Sequence, residues 1–325
     1  MVVQPSYWYR SLVLFACVVL AACSPSGSAE QLIALAEHAR RDGQLATAAD
    51  LYHQAAALPP QQFQTYYRAA LLYRQVENVI RAEEHLRKAL VVKPDFGPAH
   101  VHLGLVLLQQ GHREDSRQAL VAALRCDPRL PSAYYHLGFI TAEDGDLDAA
   151  EALFRKALAL NRRHQASYVR LGNLYVKQRR FAAALDVLQR AMRLNPRDPT
   201  TLFNLGLAYA GLGQETYAVA TFTQAIALNP SFASAHYNLG TVLLKQQAYH
   251  AALAPLTEAV RLTPHWGDAW YNLAAVYAHV GERGHAVQSL QKAIDLNPAL
   301  ASEARQDSDF ESLRADAEFS AILEN

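Results

Sequence analysis

The sequence repeats itself every thirty-four residues from Ala29 onward. A proline marks the repeat at seven positions, and Arg162 stands at the one place where the period predicts a proline and none is present. The marker prolines are Pro60, Pro94, Pro128, Pro196, Pro230, Pro264 and Pro298. A fixed period of this length indicates one helical hairpin that is copied and stacked, an architecture without a central active site. We therefore expect function on a surface.

Three rows of small side chains recur with the same period. They begin at Ala70, Ala82 and Ala89, which lie ten, twenty-two and twenty-nine residues after the first marker proline. Large apolar residues fill the positions between them, and their spacing is that of helices rather than of strands. Small side chains at these positions allow two helices to approach closely. Each repeat is therefore predicted to be a pair of antiparallel helices.

The sequence also predicts where these helices end. A row of glycines should end the first helix of the hairpin by adopting a left-handed conformation. This row contains Gly43, Gly111, Gly145, Gly213 and Gly281. The marker proline should stop the second helix, because proline lacks the backbone donor that an interior position needs. Since Arg162 replaces one of these prolines, we expect the helix around Leu160 to run slightly longer.

One stretch carries a full set of family marker residues. Trp270-Tyr271-Asn272-Leu273-Ala274, followed by Tyr277, Ala286, Leu290, Ala293 and Pro298, resembles the tetratricopeptide repeat. The resemblance implies an all-α fold, a right-handed α-solenoid of eight tetratricopeptide-repeat hairpins over residues 29–300. Residues 301–325 follow as a predicted capping helical segment. Its apolar residues are Phe310, Leu313, Phe319, Ile322 and Leu323, and a binding role for the aromatic ones is the alternative.

The amino terminus predicts export from the cytoplasm. Arg10 precedes an uncharged stretch that is too short to span a bilayer, so residues 1–22 are interpreted as a signal peptide. Leu20-Ala21-Ala22-Cys23 resembles the bacterial lipobox, which implies a lipidated Cys23 and a flexible tether over residues 23–28. By resemblance to lipoproteins, Ser24 after the cysteine favours the outer membrane, with the protein facing the periplasm. The alternative is an ordinary signal peptide in which Cys23 is incidental.

Composition and motifs point away from catalysis. Thirty basic and thirty acidic residues balance, which gives no electrostatic case for nucleic acid as a partner. The sequence has no phosphate loop, no cysteine pair at metal spacing and no nucleophile elbow, so we predict no enzyme, no cofactor, no metal and no small-molecule substrate. His100 and His102 should point in different directions on one helix. His236 takes the place of a packed aromatic ring, and Cys126 lies in an apolar row that predicts a buried, inert thiol.

In the family that this chain resembles, ligands lie along the surface formed by the first helix of each hairpin. The candidate groove residues on this basis are Tyr67, Tyr135, Phe139, Arg170, Asn173, Lys177, Phe203, Asn204, Asn238 and Asn272. Asn204, Asn238 and Asn272 occupy the same position of successive repeats. They resemble the asparagine ladder of O-linked N-acetylglucosamine transferase, whose side-chain amides hold a peptide backbone. Asparagine is also common at this position of the family. The alternative for the aromatic residues is simple packing between hairpins.

These observations predict a binding module. The expected function is that of a lipid-anchored periplasmic scaffold, which binds protein or peptide partners in its groove and assembles or positions an envelope complex. A pilotin-like assembly lipoprotein for a pilus, secretin or polysaccharide-export system is the first alternative. An accessory subunit or adaptor of an envelope enzyme is the second.

Overall fold

The structure is a computed structural model that describes residues 28–59 and 62–324. The predicted signal peptide, Cys23, most of the tether and Pro60 lie outside these residues. All regular secondary structure in the described ranges is helical, as the period of the sequence predicts. None of the described helices is both long and apolar enough to cross a membrane.

Sixteen helices of the described residues pair into hairpins, each with a first and a second helix. The first helices are α1 (Ala29–Arg41), α3 (Phe63–Gln75), α5 (Gly97–Gln109), α7 (Pro131–Glu143), α9 (Gln165–Lys177), α11 (Pro199–Gly211), α13 (Ala233–Lys245) and α15 (Gly267–Val280). The second helices are α2 (Leu45–Ala57), α4 (Val79–Val92), α6 (Arg113–Cys126), α8 (Leu147–Leu160), α10 (Phe181–Leu194), α12 (Glu215–Leu228), α14 (Tyr249–Leu262) and α16 (Arg283–Leu296).

The chain divides into two compact units. The first unit extends to Leu160 and contains the hairpins of α1 to α8, and the second begins at Asn161 and contains those of α9 to α16 together with the carboxyl-terminal tail. Within each unit, successive hairpins pack on one another as in a tetratricopeptide-repeat solenoid.

The small-residue rows lie where helices of a hairpin touch. A Cβ atom added to Gly172 would lie 2.4 Å from the side chain of Leu188, and one added to Gly240 would lie 2.4 Å from that of Leu256. Ala184 in the neighbouring row is 0% exposed. These positions leave no room for a larger side chain, because protein interiors pack at crystal-like density. The rows of small residues thus lie at the contact between the two helices of a hairpin, where the sequence predicts them.

The turns within the hairpins use left-handed backbone at every predicted glycine. The φ angles of Gly43, Gly111, Gly145, Gly213 and Gly281 lie between 72° and 90°. Three other hairpins make the same turn without glycine, at Glu77, Arg179 and Gln247, with φ of 58° to 59°. Left-handed backbone costs a residue with a Cβ about 1–2 kcal/mol, so these turns are held by the packing of the helices on either side.

The prediction that the helix around Leu160 runs longer is wrong. The helix α8 ends at Leu160, at the same point of the repeat as α10 does at Leu194. The Oδ1 atom of Asn161 accepts a hydrogen bond from the backbone N–H of Arg163 at 2.9 Å. Asn195 makes the equivalent turn with Arg197 at 3.2 Å, directly before a marker proline. The asparagine side chain therefore ends the helix, and the proline is not needed for it.

The carboxyl-terminal tail covers the last hairpin. It consists of α17 (Leu300–Ala304), a 3-10 helix (Ser308–Leu313) and α18 (Ala317–Glu324). Phe310 and Leu313 are 0% exposed, and the ring of Phe310 meets that of Tyr271 edge to face at 5.2 Å. The hydroxyl of Tyr271 donates to Asp307 at 2.7 Å. The tail is thus a cap, and its aromatic rings are used inside the protein rather than for a ligand.

Candidate functional site

The first helices carry the predicted groove residues, and we call the surface that these helices form in each unit the first-helix face. Three of the ten residues, Tyr67, Tyr135 and Phe139, belong to the first unit. The other seven belong to the second unit. The two sets are therefore described separately.

Aromatic rings of the first unit are half-buried on this face. The ring of Tyr67 lies 5.0 Å from that of Phe96 and 5.6 Å from that of His102. Tyr135 contacts the ring of His136 at 4.7 Å, and Phe139 packs at the edge of the apolar cluster of α6 and α7. Tyr67 packs against the next hairpin, Tyr135 packs against Phe154 of its own hairpin at 6.0 Å, and all three rings keep part of their surface in solvent. The packing alternative therefore accounts for the buried part of these rings.

The polar groups beside these rings include an unsatisfied histidine. The Nδ1 atom of His102 is buried and has no hydrogen-bond partner. Burial, together with the charges of Arg74 and His136, lowers the pKa of His102 to about 4. Arg68, one turn before Leu72 on α3, pairs with Glu37 of the preceding hairpin at 3.3 Å. His102 is therefore neutral near pH 7, and its Nδ1 atom is enclosed by the protein without a hydrogen bond.

In the second unit, the exposed basic residues Arg170 and Lys177 lie on α9 with Asn173 between them. The amide of Asn173 donates to Oδ1 of Asn204 on the next hairpin at 3.2 Å. Asn204 is only 2% exposed, so this contact is internal to the protein. Phe203 is half-buried and packs 4.8 Å from Phe232.

The remaining asparagines of the predicted ladder also use their amides within the protein. Asn272 donates to Oγ1 of Thr241 on the preceding hairpin at 3.0 Å. Asn238 donates to the backbone carbonyl of Ser234 on its own helix at 2.8 Å. Asn238 differs from the other two because of the hairpin before it. That hairpin carries the apolar Leu207 at the repeat position that Asn173 and Thr241 occupy in their own hairpins. Asn238 and Asn272 stay half-buried, with part of each side chain in solvent.

His100 and His236, which are not predicted to bind a metal, hydrogen-bond to the backbone through a ring nitrogen. The Nε2 atom of His100 donates to the carbonyl of Pro94 at 2.8 Å, and that of His236 donates to the carbonyl of Pro230 at 3.0 Å. Trp270 makes the same bond to Pro264 with its indole N–H at 2.9 Å. His236 is thus a packed ring that replaces a tryptophan, as the sequence predicts. No group of three or more His, Cys, Asp or Glu in the described part of the chain could hold a metal ion.

The prediction of a buried Cys126 is wrong. Cys126 is exposed, and its Sγ atom lies 3.9 Å from the carbonyl oxygen of Pro94. It is the last residue of α6, so its side chain lies at the edge of the hairpin rather than between helices. Leu160 and Leu228 at the corresponding positions are likewise 38% and 36% exposed. Apolar character in this row therefore does not indicate burial.

Two features of the first unit were not found from sequence. One is Arg74, a half-buried cation near His102 that has no ion-pair partner among the described residues. The other is a histidine pair, in which Nδ1 of the half-buried His53 lies 2.9 Å from Nε2 of the buried His85. The repeat period of the sequence does not indicate either feature, because both depend on which side chains of adjacent hairpins come into contact.

Four family models described as tetratricopeptide repeat match the chain. They match residues 63–96 and 267–300, residues 129–197, residues 171–237 and residues 216–265. None of them describes a catalytic domain. No curated protein sequence matches the chain significantly.

Solved structures share the fold. YrrB, described as a TPR protein with an unusual peptide-binding site, is 26% identical with a TM-score of 0.50, over 59% of this chain and 100% of that one. PilF of Pseudomonas aeruginosa is 21% identical with a TM-score of 0.59, over 69% of this chain and 98% of that one. The APC/C hetero-tetramer Cut9-Hcn1 is 18% identical with a TM-score of 0.61, over 91% of this chain and 55% of the matched one.

Two of the matched ranges each coincide with one hairpin. The helices α3 and α4 occupy the first matched range, and α15 and α16 occupy the last. The chain therefore belongs to the tetratricopeptide-repeat proteins, and its fold is a scaffold suited to binding other proteins.

Proposed function

We propose that this protein is a lipid-anchored periplasmic scaffold that binds a segment of a partner protein on its first-helix face and so assembles or positions an envelope complex. The observation that carries the binding part is the presence of half-buried aromatic residues on that face in each unit, Tyr67 and Tyr135 in the first and Phe203 in the second. Aromatic rings dominate the binding energy of many protein interfaces. They also offer contact area at a low cost in conformational entropy, since each has only two side-chain torsions.

The exposed cations beside the rings favour an acidic, extended segment. Arg170 and Lys177 are exposed on the same helix, seven residues apart and hence on one side of it. A partner segment that places an acidic residue there and apolar residues on the neighbouring rings would satisfy both surfaces. The likeness to YrrB, a protein with a peptide-binding site, supports this kind of ligand.

The anchor rests on the sequence before the described residues. Leu20-Ala21-Ala22-Cys23 resembles a lipobox, and Ser24 favours transport to the outer membrane. A tether from Ser24 to Ala29 reaches about 20 Å at roughly 3.5 Å per residue, which would keep the scaffold close to the membrane surface. This proposal has two specific forms. One is pilotin-like assembly of a pilus, secretin or export system, and the other is a role as an adaptor of an envelope enzyme. The likeness to PilF concerns the fold.

A site-specific crosslinking experiment tests the binding face. A photoreactive amino acid at Lys177 should crosslink the partner in intact envelopes, because this side chain is exposed on the first-helix face. The matched control is Gln189, which is exposed on the second helix α10 of the same hairpin. Crosslinks of equal yield from both positions, or from Gln189 alone, would show that partners bind elsewhere.

A further inference from the structure

Positive charge is concentrated in one part of the second unit. The whole chain has equal numbers of basic and acidic residues, but residues 161–198 carry nine Lys and Arg against two Asp. This stretch contains the hairpin of α9 and α10 together with the loops before and after it. Nine positive charges less two negative ones leave a net charge of plus seven. The balance of the whole chain therefore conceals one strongly positive part of the molecule.

Two loops meet at one end of this hairpin. The loop of residues 161–164 precedes α9, and the loop of residues 195–198 follows α10. The two helices are antiparallel, so both loops lie at the same end. The side-chain amide of Gln165 donates to Oδ2 of Asp198 at 3.2 Å, which joins the two loops directly.

Three exposed arginines occupy these loops. They are Arg162, Arg163 and Arg197, and we call them the arginine edge. The backbone N–H of Arg163 donates to Asn161 at 2.9 Å, and that of Arg197 donates to Asn195 at 3.2 Å, so the same turn recurs one repeat apart. None of the three guanidinium groups forms a hydrogen bond or an ion pair with another described residue. Their donors are therefore available to a ligand from solvent.

The stability of the fold does not account for these cations. Arg162 and Arg163 precede the amino-terminal end of α9, and Arg197 precedes that of α11. The helix dipole disfavours a positive charge at such an end, whereas it favours Arg193 in the last turn of α10. The loop before α13 makes the same turn with Ser231 in place of an arginine. The turn itself therefore does not require arginine.

The chemistry of the edge favours phosphate groups. A guanidinium is a planar fork that holds two phosphate oxygens at once. The carboxylate of Asp198 is already engaged, because its Oδ2 atom accepts from Gln165 and, at 3.1 Å, from the backbone N–H of Thr201. Both loops are described in full, and neither has an exposed aromatic ring on which a nucleobase could stack. Their one exposed apolar residue is Pro196, so they lack the apolar centre of a protein interface.

We propose that the arginine edge binds the phosphate headgroups of an anionic lipid membrane. This inference goes beyond the proposed function, in which Cys23 supplies the contact with the membrane. A lipid chain and a basic patch together hold peripheral proteins on membranes more firmly than either one does alone. Each arginine close to an anionic surface strengthens binding about fivefold, which corresponds to about 1 kcal/mol.

Sedimentation with vesicles tests this inference. The full chain carries Cys23→Ser, so that no acyl group contributes to binding. It is mixed with vesicles of phosphatidylcholine alone or of phosphatidylcholine with phosphatidylglycerol. We expect stronger binding to the anionic vesicles, and we expect the difference to disappear at about 0.5 M salt, where charges on a surface are screened. Binding to the neutral vesicles measures any contribution of residues 1–22.

A double variant removes two charges from the edge. Arg163→Ser combined with Arg197→Ser should weaken binding to the anionic vesicles about thirtyfold, or about fivefold for each arginine. Its melting temperature should equal that of the parent chain, because Ser231 makes the same turn at the equivalent position.

The matched control removes two exposed cations from elsewhere in the second unit. Arg179→Gln combined with Lys292→Gln changes the net charge by the same amount. Glutamine fits the left-handed turn at Arg179, since Gln247 adopts that conformation in another hairpin. This variant should bind the anionic vesicles like the parent chain.

Four outcomes would overturn the inference. Two of them are equal binding to neutral and anionic vesicles, and an equal loss of binding in both double variants. The third is displacement from vesicles by inorganic phosphate beyond that by chloride of equal ionic strength, which would assign the edge to a free anion. The fourth is capture of a polyglutamate peptide through the same arginines without binding to anionic vesicles, which would assign it to an acidic protein.

The proposed function is tested separately. The chain used with vesicles carries no acyl group and keeps its first-helix face intact. Crosslinking of a partner through Lys177 and acylation of Cys23 would therefore support the proposed function even where the arginine edge fails to bind lipid.

Discussion

Nδ1 of His53 lies 2.9 Å from Nε2 of His85, and Nδ1 of His85 lies 2.8 Å from the carbonyl oxygen of Arg81. A carbonyl only accepts, so Nδ1 of His85 carries a proton and its Nε2 accepts from His53. His85 is 0% exposed, and burial lowers its pKa. A second proton on His85 would therefore place a charge in the core and two donors face to face.

This arrangement predicts a loss of stability in mild acid. A histidine with a lowered pKa binds fewer protons in the folded state, so its contribution is present above the unfolded value of about 6.5 and is lost as the pH falls below it. His102, whose pKa is about 4, should add a slope that approaches about 1.4 kcal/mol per pH unit between these two pKa values, and His85, whose pKa is also lowered, should add to it in the same direction. Denaturant titrations between pH 7.5 and 5 measure the slope.

The control for this prediction is a histidine on the surface. His85→Phe should reduce the slope even if the variant is less stable overall, whereas the same titrations on exposed His250→Gln should match those of the native chain. An unchanged slope in His85→Phe would contradict the account of His85 and its partner His53.

Packing of the small-residue rows predicts a large effect of Ala184→Arg. The alanine is 0% exposed on α10, so the longer side chain must displace a neighbouring helix and bury a charge. We expect a loss of roughly 3–5 kcal/mol in unfolding free energy. Gln189→Arg on the exposed side of the same helix should be nearly neutral, and equal melting temperatures for the two variants would show that the repeat register is misplaced.

The ring-to-proline hydrogen bond predicts which substitutions His236 accepts. Loss of the Nε2 donor in His236→Phe should cost about 1 kcal/mol, because the carbonyl of Pro230 loses its partner. His236→Trp should retain stability by the same bond that Trp270 makes to Pro264. Denaturant midpoints compare the variants. Equal midpoints for the Phe and Trp variants would indicate that the ring matters only as a packed surface.

The lipobox-like sequence that ends at Cys23 predicts that Cys23→Ser releases the protein from the membrane. Without the thiol no acyl group is attached, so the mature chain should move to the soluble fraction with its helical circular dichroism unchanged. Fractionation and metabolic labelling with a fatty acid measure both parts. Retention of the variant on membranes through high salt, with no label on the native protein, would contradict lipidation.

The cations of the second unit predict a charge-dependent loss of partner capture. Replacing both Arg170 and Lys177 with Glu should weaken capture of the native partner without lowering the melting temperature, and the loss should shrink as salt rises. The matched control changes the exposed Arg193 and Lys292 of second helices to Glu, which alters net charge equally. If both double variants lose capture to the same degree, the effect reflects net charge rather than this site.

Much of the fold follows from the sequence because the repeat imposes it. The close approach at Gly172 requires a residue without Cβ, and the period repeats that requirement in most hairpins. Helix ends were predicted less well. Asn161 ends its helix through a turn made by its own side chain, so the absence of a proline at the next position does not lengthen the helix. Cys126 was misplaced because hydrophobicity alone does not distinguish the edge of a hairpin from its interior.

The candidate site was predicted only in outline. The position of a residue in the repeat placed Tyr67 and Phe203 on the first-helix face, where both are half-buried. The fate of each asparagine depended instead on its neighbour in the preceding hairpin, which is polar for Asn204 and Asn272 and apolar for Asn238. Such pairings between hairpins become visible only when the three-dimensional structure is known.

The tail that packs on the last hairpin also affects whether other molecules can stack on that end of the protein. Stacked repeats present at each end the same kind of apolar surface that joins their interior members, so an uncovered end would accept another molecule and grow into a fibre. Here Phe310, Leu313 and Phe319 occupy that surface at the carboxyl-terminal end, and Tyr271 is held by Asp307. That surface of the second unit is already occupied, so another molecule would have to displace the tail before it could stack there.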